Sequence, residues 1–314
     1  MLRTDFSTPN KLKEYKSAIE FAIGNTPLIQ ISNVAKQIKP HVKIFAKAEW
    51  LNSGGSIKDR PALKIIQNAI SQELLSEDIR LLDSTSGNMG IAYASICASM
   101  GIGVTLTLPE NASPERLTIL SALGAELILT DPLEGSDGAM IVARKIAKDF
   151  PKKYYFADQY NNPNNWMTHF ETTGPEIWNQ TKGGVTHFVA GLGTSGTVTG
   201  VTKYLKEQNE EIQSVAFQPE SPFHGIEGLK HMPSSHLPGI YEQGLPDINL
   251  QISTEKSYEM VRRLAKEEGL FVGLSSGASI QAAIELAKDL EEGVIVTTLP
   301  DGGYKYISNQ IWES

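Results

Sequence analysis

The chain of 314 residues has one cysteine and no long uninterrupted run of apolar side chains. Cys97 has no second cysteine to pair with, which excludes an internal disulfide and favours a reducing compartment. The chain also lacks an apolar segment of the length that a signal peptide or a membrane-spanning helix requires. These absences predict a soluble protein of the cytoplasm.

Basic side chains are in deficit, with 28 lysines and arginines against 36 aspartates and glutamates and a net charge of −8 at pH 7. The isoelectric point is about 5.4. Binding along a nucleic acid requires a basic face that neutralises phosphates, so the composition argues against that partner. The six histidines show no metal-ligand spacing, and no metal site is predicted.

Short apolar runs alternate with amphipathic segments along the chain, in which hydrophobic residues make up 40%. Strands are predicted at residues 42–48, 79–83, 103–108, 126–130, 185–190, 214–218, 270–273 and 294–299. Helices are predicted at residues 12–21, 61–70, 91–98, 114–123, 139–150, 165–180, 197–207, 254–267 and 276–290. This alternation predicts an α/β protein with mainly parallel sheets. The length favours two domains, with boundaries near residues 47 and 156.

The segment Asn52-Ser53-Gly54-Gly55-Ser56-Ile57-Lys58-Asp59-Arg60 places one lysine between a glycine pair and the predicted start of a helix. Pro61 fits the first helical turn, because a missing backbone NH is harmless there. Gly54 and Gly55 would let the backbone approach a flat ligand closely. Lys58 is therefore a candidate functional residue, although a solvated lysine in an ordinary loop gives the same pattern.

A second candidate site is the loop Thr85-Ser86-Gly87-Asn88, between a predicted strand and a predicted helix. Free backbone NH groups at a helix N-terminus attract a small anion such as a carboxylate, and the Thr85 and Ser86 hydroxyls add donors. Many strand-to-helix loops have this composition without binding anything. The loop therefore gains its weight from the other candidates.

The third loop, Gly191-Leu192-Gly193-Thr194-Ser195-Gly196-Thr197, has the G-x-G-x-x-G spacing of a dinucleotide site, which makes an NAD-dependent oxidoreductase an alternative. The next predicted strand, however, ends in Gln218, where an acidic residue should bind a ribose hydroxyl. The hydroxyls of Thr194, Ser195 and Thr197 also suit a terminal monophosphate better than a bridging pyrophosphate. A monophosphate-binding loop is therefore favoured.

A lysine, a carboxylate-binding loop and a monophosphate-binding loop, all expected at the C-terminal edges of parallel strands, together describe the chemistry of pyridoxal 5'-phosphate. The lysine amine and the cofactor's aldehyde form a Schiff base. Residues Gly193 to Thr197 would hold the phosphate, and the ring would serve as the electron sink.

Ordered motifs along nearly the whole chain resemble the fold-type II pyridoxal-phosphate enzymes and, within them, the cysteine synthases (O-acetylserine sulfhydrylases). The matching segments are Gly24–Leu28, Asn52–Arg60, Thr85–Gly90, Gln159–Pro163, Thr173–Trp178, Gly191–Gly200 and Gly273–Gly277. The Gly193–Thr197 variant and the segment Asp301–Tyr306 are closer to B-type than to A-type cysteine synthases. The resemblance implies two three-layer α/β/α domains, as in tryptophan synthase β. Residues 1–47 plus 157–314 would form a large phosphate-binding domain, and residues 48–156 a smaller domain that binds the substrate carboxylate.

The resemblance also implies roles for individual residues. Lys58 would be the Schiff-base lysine and the base that removes the substrate's Cα proton. Asn88 would hydrogen-bond the ring hydroxyl oxygen of the cofactor, and Ser275 would face its pyridine nitrogen, with a helix cap as the alternative for Ser275. The implied phosphate contacts are Gly193, Thr194, Ser195, Gly196 and Thr197, and the implied carboxylate contacts are Thr85, Ser86, Gly87, Met89 and Gln159.

Two positions depart from the family pattern. Met89 stands where the family usually carries a second threonine of the carboxylate loop, which leaves that contact to backbone NH groups. Asp301-Gly302 stands where A-type enzymes usually carry a serine pair near the cofactor ring. In the segment Phe223–Met232, which resembles the variable loop over the active-site mouth, Lys230 is a candidate contact for a phosphorylated substrate, with a solvated lysine as the alternative.

The implied reaction is a β-replacement in which O-acetyl-L-serine or O-phospho-L-serine exchanges its leaving group for sulfur and gives L-cysteine. The expected partners are the amino-acid substrate, a small sulfur donor or a sulfur-carrier protein, and a second copy of the chain in a homodimer. Sister reactions stay open, namely those of cystathionine β-synthase, serine or threonine dehydratase and diaminopropionate synthase. A non-catalytic binding protein with the same fold is a further alternative, because Met89 breaks the family pattern.

Overall fold

The computed structural model describes residues 18–85 and 87–313. Of the helix predicted at residues 12–21, the first six residues lie outside this part, and Ala18–Ala22 form a 3-10 helix. No helix in the described ranges is long and apolar enough to cross a membrane. The same ranges contain no group of three or more His, Cys, Asp or Glu side chains placed to hold a metal ion.

Strands and helices alternate along the described part of the chain. The strands are β1 (Leu28–Ile31), β2 (Val42–Ala48), β3 (Arg80–Ser84), β4 (Val104–Pro109), β5 (Glu126–Thr130), β6 (Tyr154–Phe156), β7 (His187–Gly191), β8 (Gln213–Pro219), β9 (Ile248–Ile252) and β10 (Gly293–Leu299). The α-helices are α1 (Asp59–Ser71), α2 (Asn88–Ser99), α3 (Pro114–Ala122), α4 (Gly135–Asp149), α5 (Asn164–Thr168), α6 (Gly174–Gln180), α7 (Gly196–Gln208), α8 (Thr254–Arg263) and α9 (Leu274–Ala287). A π-helical turn, His169–Thr173, connects α5 to α6.

The strands form two sheets. The larger has the strand order β1-β2-β10-β7-β8-β9, and the smaller has the order β5-β4-β3-β6. β1 pairs with β2 in antiparallel fashion, and the other neighbouring strands pair in parallel. The predicted α/β class with mainly parallel sheets is confirmed.

The larger sheet is covered by helices on both faces, because successive side chains of a strand point to opposite sides. Val189 and Phe217 belong to a core shared with α8 and α9. Phe188 and Ala216, each next to one of those residues, belong to a second core shared with α6 and α7. The sheet is therefore the middle of three layers.

The smaller sheet has the same layered construction. Leu81 and Leu106 pack in one core with α1 and α2. On the opposite face of β4, the Thr107 hydroxyl donates a hydrogen bond of 2.7 Å to the carbonyl of Ala139 in α4. β3 and β4 are therefore buried on both faces, as is usual for the strands of parallel sheets.

Several elements differ from the sequence prediction. β1, β6 and β9 were not predicted, and each is short, with no more than five residues. The strand predicted at residues 270–273 is wrong, since Val272 forms only an isolated bridge with Gly302. This apolar run leads directly into α9, and its burial reflects packing beneath the helix rather than strand pairing.

Candidate active site

A cavity of about 320 Å³ is lined by loops that follow the C-terminal ends of strands from both sheets. Its volume is in the range of small-molecule sites. The sequence-predicted site residues that line it are Lys58, Thr85, Gly87, Asn88, Met89, Gln159, Gly193, Thr194, Ser195, Gly196, Thr197, Lys230 and Ser275. The structure thus brings together all the predicted residues that it describes, and Ser86 lies outside the described residues.

Lys58 is positioned by contacts of its own loop with the segment after β10. The Ile57 amide donates a hydrogen bond of 2.8 Å to the carbonyl of Pro300, and Ser56 forms an antiparallel bridge with Asp301. The Lys58 amide donates to the Ser56 hydroxyl at 3.2 Å. α1 begins at the next residue, with Pro61 in its first turn as predicted. The lysine is therefore held at the junction between the larger sheet and α1.

The glycine pair before Lys58 has a different role from the predicted one. Gly54 and Gly55 do not line the cavity. The Gly54 amide instead donates to the Asp59 carboxylate at 2.7 Å, and a Cβ on Gly54 would lie 2.5 Å from Asp59 Oδ1. Gly55 has a φ of +76°, which favours glycine. The pair closes a tight turn, and within this loop Lys58 lines the cavity instead of the glycines.

The Lys58 amine has no hydrogen-bond or ion-pair partner within residues 18–85 and 87–313, although it lines the cavity. Burial lowers the pKa of Lys58 to about 8, and the attraction of the Asp301 carboxylate opposes this shift. A lysine with such a pKa is partly unprotonated near neutral pH. It can therefore act as a nucleophile toward an aldehyde or as a base.

The predicted carboxylate-binding loop lies between β3 and α2. The Thr85 amide donates to the carbonyl of Thr107 at 3.1 Å, which anchors the loop to β4. Gly87 occupies the N-cap position of α2, and the space beside its Cα is open. The first NH groups of the helix have no intrahelical partners and can bind an anion there. Met89 is buried and brings an apolar thioether to the cavity wall, where a hydroxyl would have added a donor.

The predicted phosphate-binding loop lies between β7 and α7. Two of its glycines are required because other groups approach their Cα atoms closely. A Cβ on Gly193 would lie 2.4 Å from the Gly228 carbonyl oxygen, and one on Gly196 would lie 2.2 Å from Asn165 Oδ1. Ser195, at the N-cap of α7, adopts a left-handed φ of 71°. This turn directs the first NH groups of a 13-residue helix toward the cavity.

Three hydroxyls are predicted to serve a ligand in this loop. Those of Thr194 and Thr197 stay available to it, whereas that of Ser195 is already used. The Thr194 hydroxyl accepts from the Asn165 amide at 3.1 Å, and the Thr197 hydroxyl lies 3.3 Å from His169 Nε2. The Ser195 hydroxyl donates to the carbonyl of Ile240 at 3.3 Å. Burial lowers the pKa of His169 well below its usual value, so this imidazole is neutral.

Comparison with known proteins agrees with this arrangement. The family model described as "Pyridoxal-phosphate dependent enzyme" matches residues 19–301. A cysteine synthase of Aquifex aeolicus is 50% identical over 92% of this chain and 90% of the relative. A cysteine synthase B of Escherichia coli is 39% identical over 94% of this chain and 96% of the relative. The crystal structure of a cysteine synthase from Entamoeba histolytica has a TM-score of 0.90 at 35% identity, over 100% of this chain and 95% of that chain.

The chain belongs to the cysteine synthase family of pyridoxal-phosphate-dependent enzymes. The predicted cofactor, pyridoxal 5'-phosphate, is confirmed at the level of the family. The three-layer sheets are the fold-type II architecture that the sequence motifs imply.

The residues of the cavity fit this cofactor. The free Lys58 amine suits its aldehyde, and the N-terminus of α7 suits its phosphate. Ser275 lines the same cavity with a hydroxyl that has no hydrogen-bond partner within the described ranges. It is the second residue of α9, whose N-cap is Gly273, so Ser275 is not a helix cap. Its hydroxyl is thus available to the ring nitrogen.

The Asn88 carboxamide is oriented by residues that the sequence analysis did not assign to the site. Asn88 Nδ2 donates to Asp301 Oδ2 at 2.7 Å, and Asn88 Oδ1 accepts from Lys305 Nζ at 2.7 Å. Tyr306 donates its hydroxyl to the same Asp301 oxygen at 2.6 Å. One amide hydrogen of Asn88 remains for a ligand. The unusual Asp301, noted in the sequence only as a departure, is the centre of this network.

Lys230 and an arginine–glutamate ion pair also form part of the cavity wall. Lys230 Nζ lies 5.0 Å from the centroid of the Tyr160 ring, and burial lowers the pKa of Lys230. Arg116 and Glu227 also line the cavity and form an ion pair with each other. No local sequence pattern indicates this pair, because the two residues come from distant segments of the chain.

Proposed function

We propose that this protein converts an activated L-serine, either O-acetyl-L-serine or O-phospho-L-serine, and a sulfur donor to L-cysteine by β-replacement. The observation that carries the proposal is the joint placement of an unpaired lysine amine, a carboxylate-binding helix N-terminus and a phosphate-binding helix N-terminus around one cavity. The curated relatives are themselves cysteine synthases, which supports the same reaction.

Lys58 would hold the cofactor through its amine, and the cofactor would supply an electron sink for the substrate's Cα–H bond when it is bound. The phosphate is held by Gly193, Thr194, Gly196 and Thr197 and by the backbone of Ser195. Asn88 donates its remaining amide hydrogen to the ring hydroxyl oxygen, and Ser275 faces the ring nitrogen. A hydroxyl at that position leaves the ring nitrogen unprotonated.

The substrate carboxylate is bound by Thr85, Ser86, Gly87 and the amide of Met89. Gln159 supports this loop, because its Nε2 donates to the carbonyl of Ser84 at 3.3 Å. Lys58 Nζ, once the substrate's amino group has displaced it from the cofactor's aldehyde carbon, would take the proton from the substrate's Cα. Its lowered pKa supports this role, since a fully protonated amine could not accept a proton.

Lys230 attracts an anionic leaving group or an anionic sulfur donor, because its ammonium lines the cavity without a carboxylate partner in the described residues.

The proposed domain division follows the two sheets, with residues 1–47 plus 157–314 around the phosphate and residues 48–156 around the carboxylate. A cytoplasmic homodimer, with sulfide or a sulfur-carrier protein as donor, completes the proposal and rests on the family resemblance.

Replacement of the lysine tests the proposal directly. Lys58→Ala should abolish the yellow absorbance of the cofactor-bound protein and lower cysteine formation by at least about a thousandfold, because no other side chain can replace its amine. The measurement is the absorbance spectrum together with the initial rate of cysteine formation from each activated serine. Lys43→Ala, at an exposed position of β2, is the control and should change neither.

Three outcomes contradict the proposal in different ways. A Lys58→Ala protein with the wild-type spectrum would show that another residue carries the cofactor. A yellow wild-type protein that turns over no activated serine with sulfide would favour a binding protein. If homocysteine, an amine or water replaces the leaving group instead of sulfide, one of the sister reactions is correct.

A further inference from the structure

Arg116 is a buried arginine at the cavity wall that the proposed reaction does not use. It lies in the first turn of α3, and only 7% of its surface is exposed. The ring of Tyr306 covers one face of the guanidinium, with the guanidinium carbon 5.3 Å from the ring centroid. This contact fixes the plane of the guanidinium while its edges stay free for hydrogen bonds.

The donors of Arg116 are only partly used. One terminal nitrogen pairs with the Glu227 carboxylate, and Nε is buried without a partner in the described part of the chain. Arginine has five N–H donors in a planar fork that matches carboxylates and phosphates. Arg116 is therefore a preformed anion receptor that an internal carboxylate occupies.

Glu227 is the more adaptable member of the pair. It lies in the long connection between β8 and β9, in which the described regular structure is the short 3-10 helix Met232–Ser234. Its side chain is 38% exposed, against 8% for that of Arg116. An incoming anion can therefore displace the carboxylate into solvent at a smaller free-energy change than movement of the buried guanidinium requires.

The pair determines the net charge that the cavity offers to a substrate. Within the described part of the chain, the cationic side chains in its wall are Lys58, Arg116 and Lys230, and the acidic one is Glu227. In the proposed function Lys58 is committed to the cofactor, and Glu227 neutralises Arg116. The positive charge that the cavity presents to the group on the substrate's Cβ thus depends on whether Glu227 is paired with Arg116.

We propose that Glu227 is a specificity-determining residue, which favours a substrate that carries an uncharged acetyl group over one that carries a phosphate group by competing for Arg116. This inference rests on the proposed function and selects between its two activated serines. An acetyl ester can be accepted with the ion pair intact. A phosphate ester gains its best partner only when the Glu227 carboxylate leaves the guanidinium.

The test is the ratio of kcat/KM for O-phospho-L-serine to that for O-acetyl-L-serine. Glu227→Gln keeps the size of the side chain and removes its charge, and it should raise this ratio on the order of tenfold, the effect of one additional charged hydrogen bond. The same substitution in an Arg116→Gln background should leave the ratio unchanged. In a Lys230→Gln background the rise should persist, which separates Arg116 from the other cation.

A rise that persists without Arg116, or no rise in Glu227→Gln, would overturn the inference. If Glu227→Gln melts at a lower temperature than the wild type, Glu227→Ala repeats the comparison with a smaller side chain. Binding of inorganic phosphate to the holoenzyme, measured by calorimetry, gives a readout without turnover. Phosphate should bind more tightly to Glu227→Gln than to the wild type, and not to Glu227→Gln/Arg116→Gln.

The binding experiment also separates this inference from the proposed function. If neither serine yields cysteine but phosphate binding follows Arg116 and Glu227 as expected, the reaction is wrong and the anion receptor is right. If cysteine forms but phosphate binds equally to all variants, the reaction is right and the specificity role of Glu227 is wrong.

Discussion

Asp301 connects Lys58 to Asn88 and Tyr306 in the wall of the cavity. Its side chain is fully buried, and its Oδ2 accepts hydrogen bonds from Asn88 and Tyr306. Its charge also raises the pKa of Lys58 against the larger effect of burial, with a net value of about 8. One carboxylate therefore fixes an amide by hydrogen bonding and adjusts an amine through the electric field.

Asp301→Asn should separate these two effects. The amide oxygen can still accept from Asn88 and Tyr306, whereas the loss of the negative charge should lower the pKa of Lys58 further. When pyridoxal phosphate is added to the cofactor-free protein, the yellow absorbance returns through a reaction of the unprotonated Lys58 amine. The rate of this reaction therefore depends on the pKa of Lys58. Its pH profile should therefore shift to lower pH.

Glu227→Gln is the matched control for this measurement. It removes a carboxylate that lines the cavity but does not act on the pKa of Lys58. Its pH profile should coincide with that of the wild type. A profile that is unchanged in Asp301→Asn would show that burial alone sets the amine's pKa.

The position of α7 depends on its close packing against the π-helical turn His169–Thr173. At Gly200 an added Cβ would lie 2.1 Å from the Trp166 carbonyl oxygen and 2.7 Å from the Cβ of His169. The same turn places His169 beside Thr197, at 3.3 Å. The phosphate-binding end of the helix is thus located by a contact in its middle.

Gly200→Ala should destabilise the protein by about 1–3 kcal/mol, the usual effect of overpacking, and should weaken cofactor binding because α7 must move away from the turn. Urea unfolding and titration of the cofactor-free protein with pyridoxal phosphate measure the two effects. Gly244→Ala, where the space around Cα is open and φ is not positive, is the control and should change neither. Unchanged cofactor affinity in Gly200→Ala would show that the proposed phosphate-binding loop does not depend on this contact.

The molecule as a whole contains a buried ion network that joins the larger sheet to α1 and α6. Arg60, two residues after Lys58, donates to Glu49 Oε2 at 2.8 Å and to Glu176 Oε1 at 2.7 Å. Lys47, in β2, pairs with Glu176 Oε2 at 2.6 Å. Burial by itself would raise the pKa of Glu49, but Arg60, with smaller contributions from Thr26 and Lys47, lowers it below the ordinary 4.5.

Glu49→Gln should lower the free energy of unfolding at pH 7 by about 3 kcal/mol, because it leaves part of the buried Arg60 charge uncompensated. A carboxylate with a depressed folded-state pKa stabilises the protein fully above its unfolded pKa and loses this contribution as the pH falls. The difference between wild type and variant should therefore be constant above pH 4.5 and shrink below it.

Urea unfolding at several pH values provides this comparison. Glu291→Gln removes an ion-paired glutamate whose side chain is 87% exposed, and it should change stability by less than about 0.5 kcal/mol. A difference for Glu49→Gln that does not depend on pH would show that its carboxylate is not the stabilising group.

Prediction from the sequence succeeded where the signal is local. The loops of Lys58, Thr85 and Gly191 were located from glycines, hydroxyls and the switch from strand to helix periodicity, and each follows a strand as expected. Short or edge elements such as β1 and β9 were missed, because few residues carry their pattern. The apolar run at residues 270–273 was misjudged, since burial alone does not distinguish a strand from a packed loop.

Contacts between distant segments were outside the reach of these patterns. Asn88 meets Asp301 and Lys305 across sequence separations of 213 and 217 residues. The glycine pair at Gly54 was read as a ligand contact, and its turn against Asp59 became visible only in the structure. Such partners are chosen by the order of strands in a sheet, which periodicity does not encode.

The sequence by itself determined the α/β class and the cofactor and indicated Lys58 as a candidate, because these depend on residue types at fixed spacing within single segments. Only the tertiary structure decided how the site is tuned, through the carboxylate that acts on Lys58, the amide held by Asp301 and Lys305, and the arginine occupied by Glu227. Charges and hydrogen bonds act over a few ångströms of space, whatever their distance along the chain. The fold of the two sheets is what brings these groups within that range.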